Sequence, residues 1–95
     1  MNVIVRSAVY IAEALGGRKI EVILSNGADI SDLLQHLSET YGASFRNQIY
    51  FEDGSVKDGW FTISLNGRNI FAYEGFGCLL RDGDDVLILP ALSGG

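Results

Sequence analysis

Asp82-Gly83-Asp84-Asp85-Val86-Leu87-Ile88-Leu89-Pro90 is the stretch on which the fold turns. A turn rich in Asp and Gly delivers four consecutive large aliphatics, Val86 to Leu89, with no polar residue between them. A strand with one wet face alternates apolar and polar side chains. An unbroken run therefore implies burial on both faces or a place at the centre of the sheet. A last strand at the centre, beside the first, would run parallel to it.

The segments around it supply the partners. From Asn2 to Tyr10, Val3, Val5, Ser7 and Val9 fall on one face and Ile4, Arg6 and Ala8 on the other, which predicts a strand. Gly16-Gly17 allows a reversal, and Lys19 to Ser25 alternates again, with Ile20, Val22 and Leu24 opposed to Lys19, Glu21 and Ile23. The two runs read as a β-hairpin with a long connection, closed by Asn26-Gly27. Ile30, Leu33, Leu34, Leu37 and Tyr41 then form one apolar helical stripe, with Asp29 as N-cap, Asp32 as capping-box acid and Gly42 at the left-handed stop. Residues 43–59 show no clear period and read as an irregular connection laying Phe45, Ile49, Tyr50 and Phe51 on the core edge. Trp60 to Leu65 predicts a third strand, Asn66-Gly67 a type I′ turn, and Arg68 to Ile70 a short fourth strand. The order is ββαββ(loop)β: an α+β domain with one main helix across a mixed sheet of four to five strands, the β-grasp arrangement. One sheet face is left partly uncovered as a candidate partner surface. The pattern leaves open which side Ile23, Leu87 and Leu89 occupy.

The 95 residues suffice for one core, so residues 1–90 read as a single domain and 91–95 as a flexible C-terminal tail. The chain is 47% hydrophobic, too apolar for a disordered polymer. A net charge of −5, with only 7 Lys plus Arg, argues against nucleic acid or an anionic membrane as partner. No secretory signal or membrane span is evident, and the single cysteine, Cys78, suits a reducing compartment; the expectation is a cytoplasmic protein.

Catalytic readings find little support. His36 is the only histidine and sits in the predicted helix, and no nucleophile signature surrounds Cys78. Asp82, Asp84 and Asp85 lack the spacing of a calcium loop and are explained by a solvated turn. Gly75-Phe76-Gly77 falls short of a dinucleotide fingerprint. No metal site is expected, and no free-standing enzyme.

The last residues are different. Pro90 cannot donate a ladder hydrogen bond and is expected to end the pairing. Ala91-Leu92-Ser93-Gly94-Gly95 follows, able to extend about 16 Å at roughly 3.3 Å per residue. Two glycines pass through a channel too narrow for a Cβ, which would bring a terminal carboxylate into another protein's active site. Leu92 would anchor the tail there.

The element order, the ending Asp82 to Gly95 and Ile63-Ser64-Leu65-Asn66-Gly67 resemble the ubiquitin-like sulfur carriers of the MoaD/ThiS family. The resemblance implies that Gly95 is adenylated by an E1-like adenylyltransferase using ATP and then converted to a thiocarboxylate by a sulfur donor. It implies that Pro90, Ala91, Leu92, Ser93 and Gly94 form the segment inserted into partners, and that the chain itself binds no cofactor. The expected acceptor is the larger catalytic subunit of molybdopterin synthase, in molybdenum cofactor biosynthesis. Alternatives are sulfur supply for cysteine or another thio-compound, and attachment to protein lysines through Gly95.

Overall fold

A computed structural model describes residues 1–91. Five strands, β1 (Asn2–Ser7), β2 (Lys19–Ile23), β3 (Phe61–Leu65), β4 (Arg68–Asn69) and β5 (Asp85–Pro90), form one sheet in the order β2-β1-β5-β3-β4. The aliphatic strand β5 is central, parallel to β1 and antiparallel to β3. Its covering is one-sided. Val86, Ile88 and Pro90 are buried, whereas Asp85, Leu87 and Leu89 are half-buried. The unbroken apolar run thus reports the central position.

The principal helix, α2 (Ile30–Tyr41), is where the apolar stripe predicts it, and Ile30, Leu33, Leu34 and Leu37 are buried. Its capping box is complete: Asp32 N–H donates to Asp29 Oδ1 at 2.9 Å and Asp29 N–H to Asp32 Oδ2 at 3.0 Å. Two shorter helices join it, α1 (Val9–Leu15) and α3 (Ala43–Ile49). Both correct the sequence-based expectation.

The first strand stops at Ser7, opposite Ile88 of β5, instead of running to Tyr10. Ile11, Ala12 and Leu15 then share a helical face that buries, and Gly16 closes the turn at φ 78°. Val9 continues the alternation in sequence but is 54% exposed and takes φ 55°, rare for a β-branched residue. The predicted pairing of β1 with β2 is present, Asn2 facing Ile23 and Arg6 facing Lys19, with α1 inside the connection. In α3 only Phe45 and Ile49 carry the buried face, too few for a periodic signal among Arg46, Asn47 and Gln48.

Gly42 joins α2 to α3 at φ 77° and ψ −156°, a region essentially reserved for glycine. A Cβ there would meet nothing within 4 Å, so its cost would be purely backbone strain. Gly42→Ala is expected to lower stability by about 1–3 kcal/mol, read as a lower urea midpoint at unchanged slope.

The third strand begins at Phe61, one residue later than predicted, and the fourth ends at Asn69. Asn66 and Gly67 both have positive φ, 50° and 85°, as a type I′ turn requires. Pro90 does not end the pairing. It faces Phe61, and the Ala91 N–H donates to the Trp60 carbonyl at 2.9 Å. Alternate residues of a strand direct their N–H groups to opposite neighbours. The missing Pro90 donor therefore falls on the β1 side, where β1 has already ended, and the β3 side loses nothing.

Candidate functional site: the C-terminal exit and the open sheet face

All three helices lie against one side of the sheet, the side to which Val3, Val5, Val22, Ile63, Val86 and Ile88 contribute buried side chains. The opposite side carries Ile4, Arg6, Lys19, Glu21, Ile23, Thr62, Ser64, Leu87 and Leu89 by strand alternation. Ile23, Leu87 and Leu89, whose side the sequence leaves open, all belong to this uncovered face. Ile23 is 73% exposed. Arg6 bridges two rows there, its Nε donating to Asp85 at 2.8 and 3.1 Å.

The acidic turn ahead of β5 is organised by backbone partners. Asp82 Oδ1 accepts from Asn2 N–H at 2.7 Å, and Asp84 accepts from Arg81 N–H at 2.8 Å and from the Asn66 amide at 3.0 Å. Asp85 N–H donates to Asn66 Oδ1 at 2.9 Å. The I′ turn is thereby tied to the start of the central strand. Among the described residues no group of three or more His, Cys, Asp and Glu side chains is placed to hold a metal ion. Cys78 is buried with its thiol 3.7 Å from the Ile70 carbonyl, and Gly75–Gly77 forms a short 3₁₀ turn. No helix among the described residues is long and apolar enough to cross a membrane.

Of the predicted site residues, Pro90 is buried as the last residue of β5, and Ala91 is half-buried and held by Trp60. Leu92, Ser93, Gly94 and Gly95 lie outside the described residues. The structure adds three neighbours that sequence reasoning did not connect with the tail. Trp60, 61% exposed, packs edge-on against Phe51 at 5.9 Å between ring centroids. Lys57 Nζ lies 4.9 Å from the Trp60 ring centroid and 5.3 Å from that of Phe51. Phe51 is therefore a surface residue and does not pack on the core edge. The available signal is the antiparallel pairing of β3 with β5: the residue before one strand sits beside the residue after the other.

The 50–60 segment holding this cluster is a compact hairpin-like excursion, with a bridge between Tyr50 and Val56. Burial pushes the Tyr50 phenol up. At its tip, the Ser55 hydroxyl and N–H donate to Asp53 at 2.6 and 2.9 Å and hold that carboxyl below its ordinary range.

A mixed sheet with a parallel central pair, crossed by α2, is the ubiquitin-like β-grasp fold. Residues 10–95 match the ThiS family. The chain belongs to that family, one of small ubiquitin-like sulfur carriers and protein modifiers. It is 31% identical over 83 residues to small archaeal modifier protein 3 of Haloferax volcanii, covering 87% of each chain. The solution structure of small archaeal modifier protein 1 from Methanosarcina acetivorans superposes with a TM-score of 0.82 at 30% identity, covering 99% of this chain and 96% of that one. A putative molybdopterin converting factor subunit 1 from Pyrococcus furiosus gives a TM-score of 0.77 at 25% identity, over 97% and 99% of the two chains.

Proposed function

We propose that the chain carries sulfur as a thiocarboxylate on Gly95 and delivers it to the larger catalytic subunit of a molybdopterin synthase. The supporting observation is the exit geometry. Residue 91 follows the central strand and is fixed by its hydrogen bond to Trp60, and residues 92–95 come next in the sequence. Those four residues span about 13 Å when extended.

A carboxylate at neutral pH is a poor electrophile. An E1-like enzyme would attach AMP from ATP to the Gly95 carboxylate with release of pyrophosphate. Hydrosulfide released by a sulfur donor then attacks the carbonyl carbon, AMP departs with the C–O electron pair, and sulfur stands in place of one oxygen. The product is a soft nucleophile delivered on a short arm at high effective concentration. The chain would bind no ATP and supply no catalytic side chain. The similarity to the Pyrococcus furiosus converting factor supports the molybdopterin assignment.

The archaeal modifier relative favours a second reading, in which a protein lysine amine attacks the same activated carbonyl and forms an isopeptide bond. Intact mass after incubation with an E1-like enzyme, ATP and a sulfur donor distinguishes the two. Replacement of one oxygen by sulfur is expected for a carrier, and high-mass conjugates for a modifier. An unchanged mass in every condition overturns both.

A further inference from the structure

Strand β2 has a hydrogen-bonded neighbour on one side only, so its outer edge presents backbone groups without a strand partner among the described residues. Which groups these are follows from the bonds on the inner side. Ser7 N–H donates to the Arg18 carbonyl at 2.9 Å, and Met1 and Leu24 exchange two bonds at 2.9 and 3.0 Å. Alternate residues of a strand turn their polar groups to opposite sides. Ile20 and Val22 therefore also face β1, while Lys19, Glu21 and Ile23 turn their N–H and C=O groups outward. Such an edge is a template for another strand.

The side chains narrow the choice of strand. Lys19 and Glu21 are both exposed on the uncovered side of the sheet, and neither forms an ion pair with another described residue. Lys19 faces Arg6, whose guanidinium is taken by Asp85, and Glu21 faces the apolar Ile4. Each charge lacks a countercharge across β1. An antiparallel strand on the outer side, with Glu opposite Lys19 and Lys opposite Glu21, supplies both, and β2 reversed about Ile20 is such a strand.

The same register suits the backbone. Residues with outward groups meet each other, so each Lys19–Glu21 pair exchanges two hydrogen bonds, and Ile20 meets its own copy at a close, non-hydrogen-bonded position. Ile20 is half-buried and packs against the core, so this contact extends the apolar layer on the helix side. Reversal about Lys19 or Glu21 sets like charges opposite one another, and reversal about Val22 sets Glu21 against Ile23. A lysine on an edge ordinarily discourages strand addition; here Glu21, two residues on, gives the reversed strand a countercharge for it.

We propose that β2 is a self-association edge at which two copies of this chain join antiparallel about Ile20, through reciprocal Lys19–Glu21 pairs. The two sheets become one of ten strands, five from each copy, with the helices on one side and the uncovered faces continuous on the other. The contact makes no use of the tail and is independent of what the tail carries.

Sedimentation equilibrium of the full chain up to about 1 mM, the weak end of the affinity scale, is expected to show a reversible monomer–dimer equilibrium. Symmetry makes each substitution act twice. Lys19→Glu and Glu21→Lys should each weaken the dimer roughly tenfold or more, because two opposite-charge cross-strand pairs become like-charge pairs. Overall charge predicts a different pattern: Lys19→Glu takes the net charge from −5 to −7 and Glu21→Lys takes it to −3, so simple repulsion would weaken one dimer and strengthen the other. The doubly exchanged chain, carrying Lys19→Glu and Glu21→Lys together, should regain the original affinity, and an equimolar mixture of the two single variants should form a mixed dimer. That recovery also separates a lost contact from a damaged fold. A chain that stays monomeric at every concentration overturns the proposal. So does a dimer that survives either single exchange, or one that the double exchange fails to restore, since another surface must then hold it.

Discussion

Ile88→Ala is expected to destabilise the domain by about 2–5 kcal/mol, the range for deleting a fully buried large aliphatic side chain. Ile88 is 0% exposed and sits on the central strand opposite both Ser7 of β1 and Ile63 of β3. The cavity would therefore open at the seam between the two halves of the sheet, with rigid strands on either side and little room to collapse. Small domains have a total stability of about 5–15 kcal/mol, so this single change removes a large share of it. Leu87→Ala, one residue away on the uncovered face, is the control and should cost less, about 1 kcal/mol, since that residue is only partly buried. Urea unfolding of both variants decides the matter. Equal midpoints would show that β5 does not divide a buried face from an open one.

Deletion of Gly95 is expected to abolish sulfur loading and lysine conjugation together while leaving the urea midpoint unchanged. The domain holds residue 91 through the Ala91–Trp60 hydrogen bond, four positions before Gly95 in the sequence. The deletion also leaves a carboxylate, now on Gly94, so loss of activity would show that the carboxylate's reach matters and not merely its presence. One residue is about 3.3 Å of reach, and misplacing reacting atoms by even 1 Å can cost about 100-fold in rate. Intact mass after activation reads the outcome. A truncated chain loading sulfur as well as the full one would remove Gly95 from its assigned role.

Much of this fold was legible because its signals are local or very strong. The α2 stripe with its Asp29–Asp32 box, the Asn66-Gly67 turn and the central position of β5 all follow from short runs of residues. The errors share a physical cause. Val9 continues a period-2 pattern that Ile11, Ala12 and Leu15 override only because a helix can bury them together. Helix α3 has just Phe45 and Ile49 to announce it, so tertiary packing forms it more than propensity does. At the candidate site, the tail was marked by its composition. The Trp60–Phe51–Lys57 cluster was hidden, because Trp60 meets Ala91 through the register of β3 on β5 and not through proximity in sequence.

The central place of β5 makes folding wait for the last of the five strands to be translated. During synthesis β1 and β2 emerge first and β3 and β4 later, yet neither pair bonds to the other until the strand between them arrives. The junction with β1 links residues about 80 apart in sequence, Ile4 with Asp85 for example, a slow contact to close. A chain that stops short of β5 would have two separate hairpins and exposed apolar faces, a species for proteolysis rather than for use. The fold thus acts as its own proofreader: a molecule compact enough to survive has already been translated through its central strand.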